Sequence, residues 1–221
     1  MSVRVIISDF GGVLTNPLEE AFLAYQEESG IALEELGLAM FSVAERDGEN
    51  PLYVLEKGQM TYARFEEVMQ DQLRVQLGDE VQFSDFTECY FNALHPNQQF
   101  LDFLFDYKAG GGRLALLTNN VKEWEPRWRA MLPIDELFET IVDSGFVGTR
   151  KPEPRIYEIA YEQIKSLPGL HDVARDECVL VDDIEINCDA AREFGFQAVR
   201  YHEPFEVVRG ELNRIRSQHP A

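Results

Sequence analysis

Five short strand-like runs recur along this 221-residue chain, at residues 3–8, 113–117, 140–142, 178–181 and 196–201, the first and fourth the most apolar. Several stop abruptly on a polar residue. Runs of this length, rich in Val, Ile and Leu and without polar alternation, suit strands buried on both faces. Between them lie longer stretches with helical spacing. One at 98–109 stops at Gly110-Gly111-Gly112; others lie around 124–131, at 154–165, before Gly195, and at 205–216. Strands that alternate with helices imply an α/β fold with a parallel, doubly wound sheet.

The alternation is interrupted once, directly after the first run. From Pro17 to about Leu94 the pattern is helical throughout. One helix stops at Gly30, a second spans 33–46, a third is capped by Thr61 and stops at Gly78, and a fourth spans 84–94. The segment Asp47-Gly48-Glu49-Asn50-Pro51 reads as a closing loop. Residues 16–94 therefore read as an inserted helical domain, with 1–15 and 95–221 forming the α/β core.

Composition narrows the function classes. With 40 acidic against 20 basic side chains the formal charge is −20, which repels nucleic acid and anionic membranes. No apolar run is long enough to span a bilayer, and the start shows no signal-peptide pattern. Cys89, Cys178 and Cys188 have no metal-ligand spacing and read as reduced, mostly buried thiols, so the chain is expected to be cytoplasmic. Such a charge also means that an anionic small substrate needs positive charge concentrated locally.

The strand ends carry the residues that could supply it. Asp9 follows the first run and precedes Gly11-Gly12, Thr118 ends the second, and Asp182-Asp183 ends the fourth. In open α/β sheets ligands bind beyond the carboxyl ends of the strands, so these groups converge on one rim. Adjacent carboxylates repel unless a cation neutralises them. With Asp9 added, the set has the hardness and charge for Mg²⁺, and no His or Cys to favour Zn²⁺. Lys151 lies in the stiff segment Lys151-Pro152-Glu153-Pro154 and is a candidate phosphate anchor; Arg150 beside it reads as solvated. Trp124 and Trp128, four apart, read as packing residues.

Taken together, Asp9-Phe10-Gly11-Gly12-Val13-Leu14, Thr118-Asn119-Asn120, Lys151-Pro152 and Asp182-Asp183-Ile184-Glu185-Ile186-Asn187 resemble, in order and spacing, the four motifs of the haloacid dehalogenase superfamily. The similarity covers about residues 3–201, and its flavour is that of the subgroup with the amino-terminal phosphatase domain of soluble epoxide hydrolase. The resemblance implies a Rossmann-like core with a small C1-type cap at 16–94, and a Mg²⁺-dependent phosphatase acting on a small phosphorylated metabolite. It implies Asp9 as the nucleophile that becomes an aspartyl phosphate. Thr118 and the backbone amides near Gly11, Gly12 and Asn119 would hold the phosphoryl group, and Lys151 would neutralise its charge. Asp9, the Gly11 carbonyl and Asp183 would bind Mg²⁺; Asp182 would support the metal or Lys151, and Asn187 the last loop.

One position departs from the pattern. Most phosphatases of this family carry a second Asp, the general acid and base, two residues after the nucleophile; here that residue is Gly11. General acid catalysis is worth roughly 10²–10⁴ in rate. Either another side chain, from the cap or the Thr15-Asn16 turn, supplies the proton, or the leaving group needs none, as in an acyl or anomeric sugar phosphate, or turnover is impaired. His95 reads as a helix cap and not as a substitute acid. A 2-haloacid dehalogenase, whose halide needs no proton, and a catalytically impaired phosphate-binding or interaction protein are the rival readings.

Overall fold

The computed structural model describes residues 3–202 and 204–217. Five strands form one sheet: β1 (Val5–Ser8), β2 (Arg113–Thr118), β3 (Thr140–Asp143), β4 (Cys178–Asp182) and β5 (Gln197–Arg200). All pairings are parallel, in the order β3-β2-β1-β4-β5. The chain builds outward from β1 through β2 to β3, then crosses back to β4 and β5. The strand order thus reverses between β1 and β4, the switch point where doubly wound sheets open a crevice.

The helices are α1 (Leu18–Ser29), α2 (Leu33–Asp47), α3 (Pro51–Glu56), α4 (Tyr62–Leu77), α5 (Phe86–Ala93), α6 (Gln98–Ala109), α7 (Glu125–Met131), α8 (Ile134–Leu137), α9 (Ser144–Val147), α10 (Pro154–Lys165), α11 (Glu185–Phe194) and α12 (Phe205–Ser217). Successive strand residues point to opposite faces, and both faces are apolar. Ile6, Leu114, Leu116, Val179 and Val181 pack with α6 and α12. Val5, Ile7, Ala115, Leu117 and Leu180 pack with α10 and α11 through Ile156, Tyr157, Ala160 and Ala191. Burial on both faces explains why β1, β2 and β4 read as apolar runs. The three cysteines are buried and unpaired, and no helix among the described residues is long and apolar enough to cross a membrane.

Helices α1–α5 all lie between β1 and α6. The chain leaves the sheet and returns to it through one neck: Thr15 bridges Pro96, the Asn16 amide donates to the His95 carbonyl, and the Asn97 amide donates to the Leu14 carbonyl. Asn97 locks this neck by donating from its side chain to the Val13 carbonyl and the Tyr201 hydroxyl, and it caps α6 through the Phe100 amide. His95 is exposed and does not cap that helix, contrary to the sequence reading. The segment read as a loop before Pro51 contains the start of α3. The Asn50 side chain accepts from the Leu52 amide, and Pro51 occupies the first turn, where its missing N–H costs nothing. The helix expected around 124–131 is α7, which starts at Glu125 directly after a 3₁₀ turn (Lys122–Trp124) and carries Pro126 in its first turn, where its missing N–H is tolerated.

Asp143, at the end of β3, caps the single turn α9 by accepting from the Gly145 amide through Oδ1, while its buried Oδ2 has no hydrogen-bond partner. Burial pushes this carboxyl up to about 6. The folded chain therefore keeps a proton that the unfolded chain releases near the ordinary Asp value. That stabilisation is complete below the unfolded pKa and is lost as pH rises through 6. Asp143→Asn, which mimics the protonated acid, should match wild type in urea denaturation at about pH 3, below the unfolded pKa. At pH 8 it should be more stable, by up to about 3 kcal/mol. Equal stability at both pH values would show that the carboxyl is not strained by burial.

Candidate active site

The hydrogen-bond ladder between β1 and β4 continues one residue past the strand, since the Asp9 amide donates to the Val181 carbonyl at 2.9 Å. Asp9 is thereby held beside Asp182 across the switch point. Lys151 enters between them. Its Nζ lies 2.8 Å from Asp9 Oδ1 and 2.5 Å from Asp182 Oδ2, and the lysine is fully buried. Burial opposes the ammonium, but the Asp182 and Asp9 carboxylates outweigh it and hold its pKa above the ordinary lysine value. The backbone of Lys151 is pinned as well. The Asn119 side chain accepts from its amide at 2.8 Å and donates to its carbonyl at 3.0 Å.

Both oxygens of Asp182 are engaged. Oδ2 accepts from Lys151, and Oδ1 accepts from the Ile184 amide and the Asn187 side chain. Tyr157 in turn donates to the Asn187 carbonyl. On Asp9, Lys151 and the Phe10 amide both meet Oδ1, so Oδ2 is the oxygen left for chemistry. Asp183 completes the cluster: one ligand atom from each of Asp9, Asp182 and Asp183 lies within 4.8 Å of the others. Gly12 adopts φ +71°, and a Cβ there would run into the Asp183 carboxylate, so glycine is required both by conformation and by space.

Burial pushes the Asp9 carboxyl up to about 8; Lys151 pulls it back, while Asp182 and Asp183 push in the same direction as burial. Burial, with the Asp182 charge, pushes Asp183 up to about 6. Three carboxylates against one lysine leave an excess of two negative charges when all are ionised. A divalent cation fits that excess, and an all-oxygen donor set fits a hard one.

A crevice of about 750 Å³ lies over this cluster, lined by Asp9, Gly11, Asn119, Asp183 and Asn187 from the core and by Leu18, Phe22, Tyr53, Glu56 and Tyr90 from the inserted helices. Thr118, Lys151 and Asp182 are buried beneath it. The Gly12 amide donates to the Thr15 hydroxyl at 3.2 Å, and Thr15 donates on to the Asn16 carbonyl, so this turn is committed to its own bonds. Arg150 is not solvated, as the sequence had implied. It binds Glu56 Oε2 at 2.6 Å and covers the Tyr53 ring at 3.9 Å. Further contacts tie the insert to the core, from the Tyr62 amide to Glu123 and from the Trp124 indole to Thr87. Trp124 and Trp128 are both buried; Trp128 packs on Phe10, whereas Trp124 stacks on Tyr90. Glu56, Tyr90 and Leu18 are the crevice residues that sequence spacing could not single out, because each reaches the site only through the packing of the insert.

A parallel sheet with an acidic cluster and a buried lysine at its switch point defines a Rossmann-like α/β protein. The pattern of the haloacid dehalogenase-like hydrolase family matches residues 3–195, and the chain belongs to that family. It is 24% identical over 226 residues to rat bifunctional epoxide hydrolase 2, covering 97% of this chain but only 39% of that protein. A glyceraldehyde 3-phosphate phosphatase from Pyrococcus abyssi is 32% identical over 91 residues, covering 40% of this chain and 35% of that one. Among solved structures, a family enzyme from Bacteroides thetaiotaomicron in complex with magnesium and inorganic phosphate has the same fold. Its TM-score is 0.64 at 22% identity, over 91% of this chain and 96% of that one.

Lys151→Met should destabilise the protein in urea denaturation at neutral pH by about 3–5 kcal/mol, because it leaves buried carboxylates uncompensated. A loss below about 1 kcal/mol would mean that the lysine is not what holds the cluster together.

Proposed function

We propose that this hydrolase is a Mg²⁺-dependent phosphatase of a small phosphorylated metabolite, working through an aspartyl phosphate on Asp9. The observation that carries the reading is the buried Lys151 held between Asp9 and Asp182, with Asp183 beside them at the floor of the crevice. Asp9 Oδ2 attacks phosphorus while Oδ1 is steadied by Lys151 and the Phe10 amide. The P–O bond to the leaving group breaks and its electron pair departs with the leaving oxygen. Water then attacks the aspartyl phosphate, the P–O bond to Asp9 breaks, and the carboxylate is restored.

Thr118 and the Gly11 and Asn119 amides receive the phosphoryl oxygens in this reading. Gly12 serves the turn, since its own amide is bound to Thr15. Asp9, Asp183 and the Gly11 carbonyl would hold Mg²⁺, which supplies charge neutralisation for a phosphoryl group that a single lysine does not balance. Asp182 belongs to the same acidic cluster, but with both oxygens engaged its part is to hold Lys151. The inserted helices act as a cap at 16–94 that selects the leaving group, because Leu18, Phe22, Tyr53, Glu56 and Tyr90 form that side of the crevice. The pairing of Asp182 with Asp183 counts against a dehalogenase, which works without Mg²⁺ and has no use for an excess of carboxylates at the site.

With Mg²⁺ present, the protein should hydrolyse p-nitrophenyl phosphate, and EDTA should stop it. Asp9→Asn should abolish turnover with an unchanged circular dichroism spectrum. Chloride release from 2-chloropropionate without metal, and no phosphate release, would replace this reading with the dehalogenase. Binding of phosphate without turnover of either would replace it with a phosphate-binding protein.

A further inference from the structure

Two features on the leaving-group side of the crevice are explained by neither the cluster nor the fold. The first is what stands over Gly11, where the family's general acid would project. A Cβ built there would meet Leu18 Cδ1 at 2.8 Å, Cδ2 at 3.0 Å and Cγ at 3.1 Å. The place of a carboxylic acid is thus filled by a leucine from the first turn of α1. Losing the acid and gaining an apolar roof are one arrangement.

The second is a cavity of about 160 Å³ under the inserted helices. It shares Leu18, Phe22, Glu56, Tyr90, Asn119 and Asn120 with the crevice, so it lies directly against it. Its remaining wall includes Met40, Leu52, Phe86 and Trp124. In the shared wall Glu56 Oε2 is bound to Arg150, the Asn119 side chain to the Lys151 backbone, and Asn120 Oδ1 to the Val121 amide, while Tyr90, which carries a hydroxyl, also lines this wall. Beyond it the lining is apolar, so the several hydroxyls of a sugar would lose more water than the few polar groups there replace. An apolar cavity of about 150 Å³ accommodates a benzene ring.

We infer, building on the phosphatase reading above, that the substrate is an aryl phosphate: a phosphorylated phenol whose ring sits in the aromatic-walled cavity while its phosphoryl group meets Asp9. The chemistry agrees with the shape. A phenol has a pKa near 10, as for tyrosine, whereas an alkyl alcohol lies near bulk water at about 15.7. A phenolate leaves with the P–O electron pair unprotonated. The proton given up by the water that attacks the aspartyl phosphate then neutralises it, so that phenol and hydrogen phosphate are released. No acid at Gly11 is needed for that sequence.

Three substrates separate ring from leaving group: phenyl phosphate has both, cyclohexyl phosphate keeps a ring of similar size on a poor leaving group, and acetyl phosphate has a good leaving group without a ring. Wild-type protein with Mg²⁺ should favour phenyl over cyclohexyl phosphate in kcat/KM by at least about 100-fold, the lower value of a missing general acid. Its KM for phenyl phosphate should be at least about ten-fold below that for acetyl phosphate, the effect of burying a few apolar carbons. Phenol should bind in calorimetry, and Leu52→Trp, which fills the cavity, should remove that binding and raise the KM for phenyl phosphate. Turnover of acetyl phosphate without a preference for phenyl phosphate would overturn this inference and leave the phosphatase standing. Equal rates for phenyl and cyclohexyl phosphate would also overturn it, and a selective loss of cyclohexyl turnover in Glu56→Gln would then identify Glu56 as the acid. Failure of all three substrates would overturn both readings, whatever phenol does.

Discussion

The ammonium of Lys151 sits fully buried between two carboxylates from adjacent strand ends, and most of the site follows from keeping it there. Burying a charge costs several kcal/mol unless it is paired and hydrogen-bonded, and the surrounding residues supply both. Asn119 clamps the lysine backbone, Asp182 takes Nζ on one oxygen while the Ile184 amide and Asn187 occupy the other, and Tyr157 braces Asn187. Of the four segments that meet here, the end of β1 lies near the start of the chain and the other three, at 119, 151 and 182–187, lie in its second half. Only the reversal of strand order between β1 and β4 brings them to one point.

Around that pair the glycines have separate reasons to be glycine. At Gly12 the φ of +71° and the adjacent Asp183 carboxylate forbid a side chain. Gly11 has no such conformational demand; what fills the space is Leu18, the far end of a flexible side chain. The first is therefore a requirement of the acidic cluster, and the second bears on the leaving group only through the proposed reaction.

How much of this was legible depended on whether the signal was local. The central strands β1, β2 and β4 could be read because burial on both faces leaves an apolar run, the half-buried edge strands β3 and β5 followed from their place in the alternation, and Asp9, Thr118 and Asp182-Asp183 stood out as the polar stops. Helix α3 was missed because Asn50-Pro51 reads equally as a loop or as a capped start, and only the Leu52 amide decides between them. Arg150 looked solvated because its partner Glu56 is 94 residues away. Trp124 looked like ordinary core for a similar reason: its stacking partner Tyr90 arrives from the inserted helices, and together they wall a cavity that no spacing in the sequence encodes.

The overall charge of −20 and an anionic substrate are compatible only if the attraction is short-ranged. Surface charges beyond about 8 Å are largely screened at physiological salt, so the repulsion fades before the crevice is reached. Inside it, Lys151 is already shared by two carboxylates, and Arg150, the other cation against the crevice, is bound to Glu56. In the proposed reaction a phosphoryl dianion would add to the two negative charges that the cluster carries in excess once all three carboxylates are ionised. Burial compounds the problem, because it disfavours ionisation of Asp9 and Asp183 and so would weaken the proposed nucleophile. A divalent cation at Asp9 and Asp183 would relieve both difficulties at once, drawing their carboxyls back toward the ionised form and offsetting the incoming charge. The same excess that makes the cluster costly in isolation is what would make it selective for a dication over a monovalent one.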